Sequence, residues 1–232
     1  METPSQDEVL VPLSRVSRFI RQFTHDVRNG LSAIDLEAAF IAELVTDPEA
    51  AEEVRKLRNM VSSTAKTLKE LSSHFQPVTL HEMPWKASTF VEELEGRVRG
   101  QFPQEEAWAI ENRLGEECVN IDLEQMANAT IHVLRNAFQF RDPGMPVRLL
   151  TFFDEGRVIL ELRESKGEWT PELPPEQWSS GPLLSTRQGG YGLGLYRAKK
   201  ILESHGGRLE SFYRDHELIT RMVLPLCTER VE

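Results

Sequence analysis

The stretch Phe23-Thr24-His25-Asp26-Val27-Arg28-Asn29-Gly30-Leu31-Ser32-Ala33-Ile34 lies inside a run whose apolar residues return every seven positions. Leu13, Ile20, Val27, Ile34 and Ile41 form one row, the period of a helix packed along another helix. A second row starts with Val16 and Phe23 and shifts by one position to Leu31, Ala38 and Val45, where Gly30 interrupts it. The register predicts a helix from Leu10 to Leu44 and turns His25 away from the seam, toward solvent. Asn29 follows one turn later on the same face, and Asp26 adjoins the histidine. A carboxylate that takes the proton of one imidazole nitrogen makes the other a nucleophile toward phosphorus. An amide one turn away can orient a water for the reverse reaction. Gly30, mid-helix, costs about 1 kcal/mol relative to alanine and softens the helix just past this trio.

Outward from that helix, Asp47-Pro48 is a stop and a new start: Asp47 suits an N-cap, and Pro48 suits a first turn, where its missing N–H is no loss. Val54, Leu57, Val61, Thr64, Leu68, Leu71 and Phe75 then step by threes and fours until Gln76-Pro77. Two helices with narrow apolar stripes and a short connection make a hairpin that one copy covers poorly. The expected closure is a dimeric four-helix bundle, hence a homodimer.

Past His81-Glu82-Met83-Pro84 the pattern changes to strands alternating with helices, which fits one α+β domain. The expected division is 1–79 for the hairpin and 80–232 for this second domain. Its elements read as a helix over Ser88–Arg99, strands at Ala107–Asn112 and Cys118–Ile121, and a helix from Asp122 to Phe140. Val147–Phe153 and Arg157–Arg163 flank Asp154-Glu155-Gly156, a hairpin turn. A stretch with Pro171, Pro174, Pro175 and Pro182 reads as a loop or lid. A helix over Leu195–His205, a Gly206-Gly207 stop and strands Arg208–Tyr213 and Leu218–Leu224 complete the chain.

The 37 acidic against 27 basic side chains give a net charge of −10, which argues against a general nucleic-acid binder and confines any phosphate chemistry to a local site. No run approaches the ~18 apolar residues of a membrane span, and the first residues lack the pattern of a signal peptide. The expectation is a cytoplasmic protein with no membrane anchor. With only a dozen residues before Leu13, no sensory domain is expected ahead of the hairpin. Cys118 and Cys227 lack metal-ligand spacing and are expected to be two reduced thiols.

The segment around His25 resembles the H-box of bacterial two-component sensor histidine kinases. In that family the matching histidine is the phosphoacceptor, the acidic neighbour assists autophosphorylation, and the Asn supports dephosphorylation of the partner. The resemblance assigns these roles to His25, Asp26 and Asn29. Gly189-Gly190-Tyr191-Gly192-Leu193-Gly194-Leu195 opens a helix, where backbone N–H groups can close on an anion. From Ser185 to Glu210 the chain resembles the G2 box of the family's GHKL-type ATP-binding domain, an α/β sandwich. Gly190, Gly192 and Gly194 are thereby candidate nucleotide contacts.

Asp122 to Ala137 is similar to the family's N-box helix, in which the residue matching Asn136 coordinates the Mg²⁺ bridging the nucleotide phosphates; an amide oxygen suits that hard cation. His132 stands where many relatives carry another Asn, and Gln139 near a place where a basic residue is common. Relatives have Asp-x-Gly-x-Gly after the strand that here reads Leu162-Arg163-Glu164-Ser165-Lys166-Gly167. Glu164 is the candidate for the adenine-reading carboxylate, and Gly167 is the remaining glycine.

The resemblance implies ATP and Mg²⁺ as cofactors, a response-regulator receiver domain as partner, and a signal or phosphoryl donor supplied by a separate protein. The function expected first is an ATP-dependent histidine autokinase that phosphorylates His25 and passes the phosphate to a response-regulator aspartate. The alternative, nearly level, is a phosphotransfer protein or pseudokinase that relays phosphate without its own ATP turnover, with a nucleotide-sensing or scaffolding dimer third.

Overall fold

The computed structural model describes residues 12–102, 108–142, 144–166, 174 and 192–227. The Pro-rich stretch, Gly167 and Gly190 lie outside the described residues. The chain divides into two compact units, Met1–Pro77 and Val78–Glu232.

The first unit is a hairpin of α1 (Leu13–Leu44) and α2 (Pro48–His74). Asp47 caps α2, its Oδ2 accepting from Ala50 N at 3.0 Å, with Pro48 in the first turn. The sequence seam splits in two here. Thr24 and Ala38 are buried and Leu31 half-buried on the side where Asp35 Oδ1 accepts from Arg58 Nε of α2, at 3.0 Å. Phe23, Ile34 and Ile41 instead stay exposed, with Phe19, Phe40 and Leu44 beside them. Thr24 Oγ1 donates to Ile20 O at 2.8 Å, which lets a polar residue sit on the buried row.

The second unit opens with β1 (Met83–Lys86) and α3 (Ala87–Arg99), then β2 (Trp108–Asn112), β3 (Cys118–Ile121) and α4 (Leu123–Phe140). β4 (Val147–Asp154), β5 (Arg157–Ser165), α5 (Gly194–Ser204), β6 (Arg208–Arg214) and β7 (Glu217–Pro225) follow. The main sheet runs β2-β4-β5-β7-β6, with β2 parallel to β4 and the other pairs antiparallel. Glu155 and Gly156 both have positive φ, 45° and 73°, the two-residue turn that matches strand twist.

Val158, Leu160 and Leu162, alternate residues of β5, join the core with Phe90 and Leu94 of α3, Met126 and Leu134 of α4, and Ile201 of α5. Helices therefore cover one face of the sheet. Gly207 is required sterically, because a Cβ there would collide with the Val223 carbonyl.

Two expectations need correction. The stretch around His81–Pro84, read from sequence as a link, runs into a strand, Met83–Lys86, antiparallel to β3. Its four residues and Pro84 hide it, since so short a ladder carries no visible alternation. Cys118 and Cys227, expected as free thiols, form a disulfide with Cα atoms 5.3 Å apart. Chain spacing, 109 residues apart, says nothing of their approach, which arises because Cys227 N donates to Cys118 O at 2.8 Å.

Candidate functional site

His25 projects from the middle of α1 with its side chain 67% exposed, while Thr24 beside it is buried. The buried Thr24 and the exposed His25 mark how this part of α1 is turned. Asp26 Oδ1 lies 3.1 Å from Nδ1 of His25. Gln22, one turn earlier, donates from Nε2 to Asp26 Oδ1 at 3.0 Å and Oδ2 at 3.2 Å. The hydrogen bond from His25, then that from Gln22, holds the Asp26 carboxyl below the usual carboxylate range.

Asn29 Nδ2 lies 3.4 Å from the same Nδ1. Both contacts cannot hold at once: Asp26 requires Nδ1–H, whereas Asn29 can donate only to an unprotonated Nδ1. The shorter contact favours Asp26. In that tautomer Nε2 carries the lone pair, on the side of the ring away from Asp26. Sequence reasoning found His25, Asp26 and Asn29 but missed Gln22, whose signal was its place four residues before Asp26.

In the second unit Asn136 lies on α4, Gly194 starts α5, and Gly192 comes just ahead of that start. Gly192 has φ +61°, the left-handed region that favours glycine. Gly194 starts α5 against α4, where an added Cβ would lie 3.6 Å from His132 Nδ1. Asn136, half-buried, comes one turn after His132. A glycine at a helix start and one amide oxygen are groups that could hold a phosphate and a cation. Among the described residues no cluster of three or more His, Cys, Asp and Glu could hold a metal unaided.

Glu164 continues the inner row of β5, and its carboxylate faces a buried cation although its Oε2 accepts no hydrogen bond. Lys166 Nζ lies 2.9 Å from Glu164 Oε2, with both side chains almost wholly buried. The same ammonium donates to Phe140 O at 2.5 Å, at the end of α4. The base half of the site therefore does not fit an adenine amine as it stands. Lys166 was also missed from sequence, although i and i+2 of a strand share a face.

A buried network joins the same helices at their other ends. Asp122, the N-cap of α4, accepts from Gln125 N at 3.0 Å and from His81 N at 2.8 Å. Its own N–H donates to His205 Nε2 at 3.0 Å, and His205 Nδ1 faces Ile201 O at 2.8 Å.

The chain matches no family model. The adaptive-response sensory kinase SasA of a Synechococcus species is 21% identical over 207 residues, 83% of this chain and 54% of that protein. The signal transduction histidine-protein kinase AtoS of Escherichia coli is 22% identical over 203 residues, 84% of this chain and 32% of that protein. The sensory histidine kinase/phosphatase NtrB of Salmonella typhimurium is 24% identical over 208 residues, 82% of this chain and 57% of that protein.

Over most of its length the chain is similar to proteins named as sensor histidine kinases, at 21–24% identity. It spans between about a third and just over half of the length of these three kinases. The same family supplies the fold. Full-length ShkA in complex with AMPPNP superposes with a TM-score of 0.66 at 16% identity, covering 93% of this chain and 47% of that one. Histidine kinase ThkA in complex with the response regulator protein TrrA gives 0.58 at 18% identity, covering 93% and 63%. The expected class, a two-helix hairpin followed by an α/β sheet domain, is the architecture of those histidine kinases. No described helix is long and apolar enough to cross a membrane.

Proposed function

We propose that this chain is the phosphohistidine component of a two-component system, a homodimer through its hairpin, in which His25 exchanges a phosphoryl group with a receiver-domain aspartate of a response regulator. The observation that carries this reading is the 3.1 Å contact of Asp26 with Nδ1 of a histidine held in solvent. The Nε2 lone pair attacks the phosphorus of an aspartyl phosphate, and the P–O bond to the receiver breaks, its electron pair leaving with the carboxylate. The imidazole takes on positive charge, which the ionised Asp26 offsets through the Nδ1 proton. In the reverse direction the receiver carboxylate attacks and His25 leaves. Asn29 serves a different step, orienting water toward the receiver's phosphate, a role in keeping with the kinase/phosphatase named among the relatives.

The apolar surface of α1 supports dimerisation: Phe19, Phe23, Ile34, Phe40, Ile41 and Leu44 are too large an exposed set for a hairpin that stands alone. The complex of ThkA with its response regulator supports the partner class. We place the exchange in the cytoplasm, the expected compartment for this chain.

A second reading makes the chain an ATP-dependent protein-histidine kinase that phosphorylates His25 itself, with Mg²⁺ at Asn136. The relatives named as kinases and the placement of Asn136, Gly192 and Gly194 favour it. The Glu164–Lys166 pair favours a protein donor instead.

Labelled Mg·ATP and, separately, a phosphorylated receiver domain are incubated with wild type and His25→Gln. Label from the receiver that disappears in the variant is the expected result. Label from ATP that disappears in the variant assigns the kinase reading. Label that survives His25→Gln from both donors overturns His25 as acceptor.

A further inference from the structure

Glu164 of β5 and Lys166, the residue just past that strand, are two charged residues that follow the row Val158, Leu160 and Leu162, which enters the core. Their side chains are 2% and 3% exposed, a placement that isolated charges do not tolerate. Lys166 Nζ and Glu164 Oε2 meet at 2.9 Å. Lys166 is held from two further sides: its Nζ donates to Phe140 O at 2.5 Å, and its backbone N donates to His216 O at 2.9 Å, in the turn between β6 and β7. Burial pushes the Glu164 carboxyl above its ordinary value, and the lysine opposes that push.

The chemistry of base recognition conflicts with this arrangement. Reading an exocyclic amine requires a carboxylate free to accept a neutral N–H. Glu164 Oε2 instead faces the Lys166 ammonium at 2.9 Å, an ion pair without a hydrogen bond, so opposite charge already occupies the carboxylate. An incoming amine must displace Lys166 and leave a cation buried without its counter-ion, which is strongly unfavourable. Gly194 starts α5 against His132 of α4, one turn before Asn136, and Gly192 comes just ahead of that helix start.

We propose that Lys166 is a specificity-determining residue that closes the base half of the nucleotide site, so that nucleoside triphosphates are recognised through their phosphates without selection for adenine. This rests on the reading of the α4–α5 end as a nucleotide site. It does not depend on how His25 receives its phosphate.

The test is calorimetric titration of the full chain with Mg²⁺ complexes of ATP, GTP and tripolyphosphate. Wild type is expected to bind all three with dissociation constants within a factor of about three. Lys166→Met frees the carboxyl and is expected to tighten ATP about tenfold while GTP and tripolyphosphate stay unchanged. Because Lys166→Met leaves Glu164 buried alone, Glu164→Gln/Lys166→Met serves as the second variant; its neutral pair preserves the fold, and its amide oxygen accepts from adenine equally. Folding of both is checked by thermal unfolding.

Wild type that prefers ATP over GTP by about tenfold or more overturns the role of Lys166 while leaving the nucleotide site in place. An ATP-to-GTP ratio unchanged in the double variant overturns it as well. Failure of wild type and both variants to bind even tripolyphosphate overturns the nucleotide-site reading itself, and the proposal with it.

Discussion

Asp26 Oδ1 stands 3.1 Å from Nδ1 of His25, and the same oxygen accepts from Gln22 at 3.0 Å, so the carboxylate that orients the imidazole is itself oriented from the preceding turn. Asp26→Asn keeps the shape but removes the charge that holds the Nδ1 proton. The expected result is an acceptance rate at His25 lower by about a hundredfold. Gln22→Ala should lower it less and in the same direction. Single-turnover transfer from a phosphorylated receiver measures both, and an unchanged rate in Asp26→Asn would remove Asp26 from the chemistry.

Asn29→Ala separates the two contacts on Nδ1. Acceptance by His25 should be preserved, because Asp26 then has no competitor for that nitrogen. Loss of phosphate from the receiver in the presence of the protein should slow by about tenfold. Following receiver phosphate over time, with acceptance assayed in parallel, gives the two numbers.

Gly30 has no heavy atom within 4 Å of the place a Cβ would occupy. No steric reason for glycine exists there, so Gly30→Ala should stabilise the hairpin by about 1 kcal/mol. If the glycine serves to soften the helix near His25, the same variant transfers phosphate more slowly despite its higher stability. Denaturant unfolding and single-turnover transfer on one preparation check both parts.

The Asp122 carboxyl gives the second unit an acid-sensitive joint. Burial raises its pKa, but hydrogen bonds from the N–H groups of Gln125 and His81 outweigh that and hold it below 3.8. A depressed carboxyl contributes stability that is present above its unfolded value and lost as pH falls through the folded one. Wild type should therefore lose more stability than Asp122→Asn between pH 7 and pH 3, while Asp122→Ala costs about 1–2 kcal/mol at neutral pH. Thermal unfolding across pH tests the sign.

The Cys118–Cys227 disulfide closes a loop spanning 109 residues of sequence. Reduction, or Cys118→Ser, is expected to destabilise the second unit by about 2–5 kcal/mol. Thiol alkylation followed by mass measurement establishes the redox state on which the unfolding comparison depends.

Much of the fold was legible because its signals are local. The seven-residue repeat and Asp47-Pro48 announce α1 and α2, and Glu155-Gly156 announces the turn between β4 and β5. The short strand β1 and the disulfide were not legible, since each depends on partners distant in the chain. In the site, His25, Asp26 and Asn29 share one helical face and could be grouped from spacing alone. Glu164 could be named only through the resemblance at the end of its strand, and its pairing with Lys166 required knowing that both are buried and that Lys166 reaches Phe140 O. Gln22 had no feature beyond a four-residue spacing.

The claim that His25 is the phosphorylated residue is tested most directly by mapping the phosphoryl group after brief incubation with phosphoramidate, a small donor that bypasses both the nucleotide site and the partner. One phosphoryl group per chain, located on His25, stable at alkaline pH, lost in acid and absent from His25→Gln, is the predicted result. A phosphoryl group found at another residue, or equal labelling of the His25→Gln variant, would contradict it.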